Sequence, residues 1–215
     1  MQTEITEAVA RKVLATIDAG LTQGVGSPAP GSMCVMAAIN YALGHEHGDR
    51  PTCVGSAVRV FDIAINDAPW SSNEARAKGM RREAIAKLGS DSIDQAAFVS
   101  YVALHTIKRI LPITLRAAGL KAEALLCEQA DSLAAAESAA RSAAEWAAAR
   151  SAESAARSAA ESAARSAEWA ARSAARSARS ADAIYILACD IATEALIGCG
   201  SEGVKWLWLC DGVRA

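Results

Sequence analysis

The residue types best suited to chemistry gather in one short stretch: Cys34, His45, His47 and Cys53, with Glu46 and Asp49 between the ends. Two thiolates and two imidazoles make a complete tetrahedral donor set for zinc. The spacing, C-x10-H-x-H-x5-C, is not that of a standard zinc finger. The competing expectation is that Cys34 and Cys53 are small buried hydrophobes packing two helices, with both histidines solvated in a turn. A third reading, a reactive thiol, needs an activating base or cation beside the sulfur. No other constellation of this strength is present: GxGxxG, GxxxxGK[ST], HExxH and GxSxG are all missing. His105, near Tyr101 and Lys108 on an apolar stretch, reads as a core or interface histidine. Asp62 lies inside a helical pattern and is expected to pair with Arg59 or Arg81, and Asn66-Asp67 to cap a helix end.

These residues must be held by helices. Ile5, Val9, Val13 and Ile17 recur at i, i+4 within residues 3–19, which predicts a first helix with Thr3 as its cap and Gly20 as its stop. Residues 20–32 hold four glycines and two prolines and must be loop. Short helices are expected over 33–43, 53–67 and 74–88. The third carries Arg76, Lys78, Arg81, Arg82 and Lys87, read as a solvated basic face. Ser92 and Gln95 resemble a capping box opening 93–111, and Pro112 should kink or restart that helix. No convincing period-2 stretch occurs, so an all-α fold is predicted: a bundle over 1–120, a long helical segment over 121–197 and an apolar tail over 198–215.

The run from Ser32 to Trp70 resembles a family of short bacterial and phage-borne hypothetical proteins. They share a Cys-x-Met-x-Ala helix, a glycine, an Asp-x-Pro-x-Cys turn and an Asn-Asp helix end. The matching positions are Cys34, Met36, Ala38, Tyr41, Gly44, Asp49, Pro51, Cys53, Asn66 and Asp67. The resemblance covers roughly residues 31–118 and implies no activity. In that pattern an acidic residue often follows the methionine, where this chain has Ala37, and the histidines are not part of it.

From Leu120 to Ile197 there is neither glycine nor proline, and 25 of the 50 residues over 134–183 are alanine. Alanine is the strongest helix former, and Glu and Arg follow closely. The unit charge-Ser-Ala-Ala repeats, with Trp146 and Trp169 taking the serine place after Glu145 and Glu168. Glu stands four residues before Arg at 137/141, 153/157, 161/165 and 168/172, the favourable order on a helix. The opposite face is alanine, which buries little area unless another backbone comes very close. Either the chain folds back near 146–151, or the helix pairs with its copy in a second subunit; the second is preferred. The tail adds Trp206 and Trp208, expected to dock on the bundle or to meet a partner.

Twenty-two Lys+Arg against 24 Asp+Glu exclude a generic polyanion binder. No run of 18 uncharged apolar residues occurs, so no membrane span is expected. The first twenty residues lack an apolar segment, so no signal peptide is expected and the cytoplasm is the expected location, where six cysteines stay reduced. The sequence therefore points to a non-catalytic helical protein that self-associates or binds a protein partner through its alanine-rich helix. The alternatives are a zinc or thiol site at 34–53, and a phage or mobile-element accessory protein that binds a host protein.

Overall fold

The computed structural model describes residues 4–132, 134–144 and 166–211, with side chains from residue 181 onward in the last stretch. Among these residues the fold is all-α. The helices are α1 (Glu7–Asp18), α2 (Val35–Leu43), α3 (Ser56–Asn66), α4 (Asn73–Ala86), α5 (Gln95–His105), α6 (Leu111–Ala117), α7 (Lys121–Gln129), α8 (residues 134–144) and α9 (Ser166–Gly198). One turn of π-helix, Thr106–Ile110, joins α5 to α6, and a 3-10 helix, Glu202–Leu209, follows α9. The chain divides into two compact units, one made of residues 1–99 and 178–215, the other of residues 100–177.

In the first unit the starts of α1, α2 and α4 follow from side-chain caps. Thr6, rather than the expected Thr3, accepts from the Val9 amide at 3.3 Å, because Ile5 is drawn into the core ahead of the helix. Cys34 caps α2 and Ser72 caps α4 through the amides of Ala37 and Ala75. Gly44, at φ 75°, ends α2 in the left-handed conformation that glycine adopts without strain. α2 is the central element: all its residues but Tyr41 and Leu43 are buried.

α4 departs from the expected basic face. Arg76 and Lys87 are buried, at 5% and 0% exposure. The Arg76 guanidinium donates to the carbonyls of Asn66 (2.8 Å) and Leu21 (3.2 Å), so the cation serves to satisfy backbone rather than to meet solvent. Arg81 holds Asp18 through two bonds, at 2.7 and 3.0 Å.

The end of α9 and the tail belong to this unit, so the expected boundaries at 120 and 197 do not separate compact bodies. Cys189, Ile191, Ala192, Ala195 and Leu196 are buried. The Asp182 carboxylate accepts from the Ser71 amide at 2.9 Å, and Tyr185 packs on Trp70 with ring centroids 5.1 Å apart. The 3-10 helix is tied down by the Gly203 amide on Leu88 O (2.6 Å) and the Trp206 indole on Ile5 O (3.1 Å). Tail apolarity thus follows from docking.

The second unit has its own core of Leu115, Leu120, Ala124, Cys127 and Ala143, with Ile107, Leu111 and Ala139 against it. Gly119, at φ 79°, turns the chain between α6 and α7. Arg116 pairs with Glu128 at 2.7 Å. Pro112 does restart the helix, but through a wide π turn just before it, which absorbs the donor that proline lacks. The helical run Gln95–Ala117, 23 residues with an 18-residue window of mean hydropathy 1.2 and 11% burial, is long and apolar enough to cross a membrane by length and composition alone. That qualifies the expectation drawn from uncharged runs, since this window accommodates charged side chains.

A Cβ at Gly203 would stand 2.0 Å from Ile85 O and 2.9 Å from Leu88 O, both backbone atoms that cannot swing away. Gly203→Ala is therefore expected to destabilise the chain by about 1–3 kcal/mol, the usual penalty for overpacking. A thermal melt equal to that of the parent protein would refute this.

Candidate functional site

The Cys/His stretch is built around the N-terminus of α2. The Cys34 sulfur accepts from the Ala37 amide at 3.4 Å, as a serine cap would. Burial pushes its thiol pKa up, outweighing the Ala37 and Met36 amides that lower it. Cys53 is buried ahead of α3, and burial likewise pushes its thiol up against the lowering effect of Gly89. His45 and His47 stand exposed in the turn after α2, where a ring nitrogen of His47 lies 3.1 Å from Gly26 O. Among the described residues no three His, Cys, Asp or Glu side chains converge as a metal-holding group. Cys34, His45, His47 and Cys53 are thus not drawn into one tetrahedron: the two sulfurs face the core and the two imidazoles face solvent. Neither sulfur is an activated thiolate.

The residues that carry the family-like pattern do meet, in a different way. Cys34, Met36, Asp49, Asn66 and Asp67 line a small cleft of about 60 Å³ with Gly24, Val25, Val35 and Ile63. Asn66, at the end of α3, is fully satisfied there. Its carbonyl accepts from the Val35 amide (3.1 Å), and its amide group donates to Thr22 O and to the Asp67 carboxylate, both at 3.0 Å. Asp67 also accepts from the Gly24 amide at 2.8 Å. With Arg76 on Leu21 O, these bonds pin the glycine- and proline-rich loop onto α2 and α3. The Asn-Asp helix end caps α3, as expected, with Asp67 as its C-cap, and is also a clamp across more than 40 residues of sequence.

A second polar centre was not foreseen. Asp62 of α3 does not pair with Arg59 or Arg81. It lies 3.0 Å from Lys87 Nζ, which also stands 2.8 Å from Glu83, and all three side chains have 0% exposure. The signal was present in two forms: Asp62 falls four residues from buried Val58 and four from Asn66, and Glu83 precedes Lys87 by one helical turn.

The aromatic candidates separate. Trp206 is half-buried through its bond to Ile5 O. Trp208 remains 52% exposed, with the Arg11 guanidinium 5.4 Å from its ring centre. Trp146 and the side chain of Trp169 lie outside the described residues. His105 stacks on Tyr101 with centroids 4.0 Å apart, consistent with packing rather than proton transfer.

In the second unit, α7 and α8 enclose an open groove of about 430 Å³. One wall is Leu126, Gln129, Ala130 and Asp131; the other is Ala135, Ser138, Ala139 and Ser142. The second set falls at i, i+3, i+4 and i+7, a single helical face of small side chains. Leu125 and Leu126 beside it are 48% and 54% exposed.

No family model, curated protein or solved structure matches the chain. The class that the coordinates define is a two-unit all-α protein, and its functional reading rests on these surfaces alone.

Cys34→Ser puts a hydroxyl oxygen in place of the accepting sulfur at the cap and is expected to change stability by less than about 1 kcal/mol, since serine caps at least as well. Asn66→Ala removes the partner of the buried Val35 amide and is expected to cost about 1–3 kcal/mol. Equal denaturation midpoints for the two variants would contradict the clamp.

Proposed function

We propose that the protein is a non-catalytic assembly module that associates with a second copy of itself through the alanine-rich helical segment. The observation that carries this reading is the α7–α8 groove, with its wall of Ala135, Ser138, Ala139 and Ser142 and its exposed leucine rim. Small side chains let a second backbone approach closely, and close approach is the only way an alanine surface buries useful area. The occupant best matched to such a wall is another helix of the same composition, which the chain repeats over 134–183. The Glu and Arg positions that flank each Ser-Ala-Ala step suit pairing between copies, because each copy carries both signs along its length.

Light scattering of the full-length protein tests this. A multimer of the 22.3 kDa chain is expected. The double substitution Ala135→Glu, Ser142→Glu, at exposed positions of the groove wall, fills the groove with like charge and is expected to return the mass to that of one chain. A parent protein that is already a monomer overturns the reading. Recovery of the protein on lipid vesicles through the 95–117 helix, without self-association, overturns it as well.

A further inference from the structure

We propose that the interior of the first unit is a proton-controlled lock: on folding, the sealed Asp62–Lys87–Glu83 site takes up one proton, held by Asp62, so that one carboxylate balances one ammonium. The geometry sets the problem. Two anionic groups face a single cation, and none of the three side chains reaches solvent. Their five polar atoms make no hydrogen bond of acceptable geometry with any other group. With both carboxylates ionised, the site would hold an uncompensated negative charge in a medium that cannot screen it, which is the most costly arrangement a core can adopt. One proton on Asp62 removes that charge and supplies an O–H donor at the same time.

Among the described residues, the charges acting on Asp62 are those of Glu83 and Lys87. Cys189 of α9 and Cys53 face the site, and burial pushes both thiols up, Cys189 well above its usual range, so neither is a cation or an anion there. The negative charges of Glu83, Asp62 and Asp190 act on Cys189, and that of Asp91 on Cys53; Lys87 is the one positive charge acting on either thiol. Burial raises Asp62 well above the carboxylate range, and the charge of Glu83 adds to it, with Lys87 opposing in part. Burial works against the Lys87 ammonium, but Asp62 and Glu83 outweigh it and leave its pKa raised.

The sign of the linkage follows. Asp62 binds its proton more tightly folded than unfolded, so its contribution to stability is complete below the ordinary carboxylate range and is lost as pH rises through the folded value. Lys87 also titrates higher when folded, so its contribution persists past neutrality and disappears only in strong alkali. Alkalinisation therefore unlocks the core in two stages, the first at Asp62 and the second at Lys87.

The test is infrared spectroscopy of the full-length protein at neutral pH, reading the carbonyl stretch of a protonated carboxyl group. The band is expected in the folded protein, absent after unfolding in denaturant at the same pH, and absent from folded Asp62→Asn or Glu83→Gln, either of which leaves a neutral site. Refolding the parent chain at that pH should also take up about one proton more than refolding either variant. Absence of the band from the folded parent overturns the proposal whether or not the variants fold. Its persistence in both variants overturns it too.

Discussion

One lysine in an interior with two carboxylates constrains much of the first unit. Lys87, at the end of α4, reaches back one turn to Glu83 and across to Asp62 of α3. Removing one partner of a buried ion pair typically costs about 3–5 kcal/mol, because the other charge is left without compensation. The bridge from Asp62 of α3 to Lys87 at the end of α4 therefore tolerates little displacement: moving either partner away would leave a buried charge without compensation. The buried stretch of α9 around Cys189 closes over this centre and completes the seal, which explains why a segment more than 100 residues away in sequence belongs to the same compact body.

The second polar network has the opposite character. Asn66, Asp67 and Arg76 hold the loop before α2 through well-formed bonds to backbone groups at Leu21, Thr22, Gly24 and Val35. A loop rich in glycine and proline has no ladder of its own to satisfy its carbonyls and amides, so side chains from α3 and α4 supply the partners. Residues that look chemical in a list, a cysteine at a helix start and an Asn-Asp pair, are consumed by this task. Cys34 acts as a cap with its thiol raised by burial, far from the environment of a nucleophile.

The second unit is of another kind. Its core is small and one wall of its groove is alanine and serine, so it exposes the face that a helix of this composition needs to bury. The first unit resolves its charges inside itself, whereas the second leaves an apolar rim and a groove in view of solvent. An assembly role places the work of the protein on that exposed face and assigns the first unit to stability.

Helix content, the loop over 20–32, the restart at Pro112 and the apolar anchoring of Ile191 and Leu196 were legible from periodicity, propensity and punctuation, since each depends on neighbours within one or two turns. Caps were legible only to within a few residues: Thr3 and Thr6 are equivalent in type, and the burial of Ile5 chose between them. The spacing of Cys34, His45, His47 and Cys53 left open a metal site or buried cysteines beside solvated histidines, because spacing along a chain does not say which way a side chain points; here two point inward and two outward. Asp62, Arg76 and Lys87 look like surface residues by type, and composition could not reveal that α4 packs against α1 and the 3-10 helix with Arg76 and Lys87 inside. Local physics decided what the segments are. Only the tertiary structure decided which charges meet, because the energy of a buried charge is set by partners from other helices and not by its own neighbours in sequence.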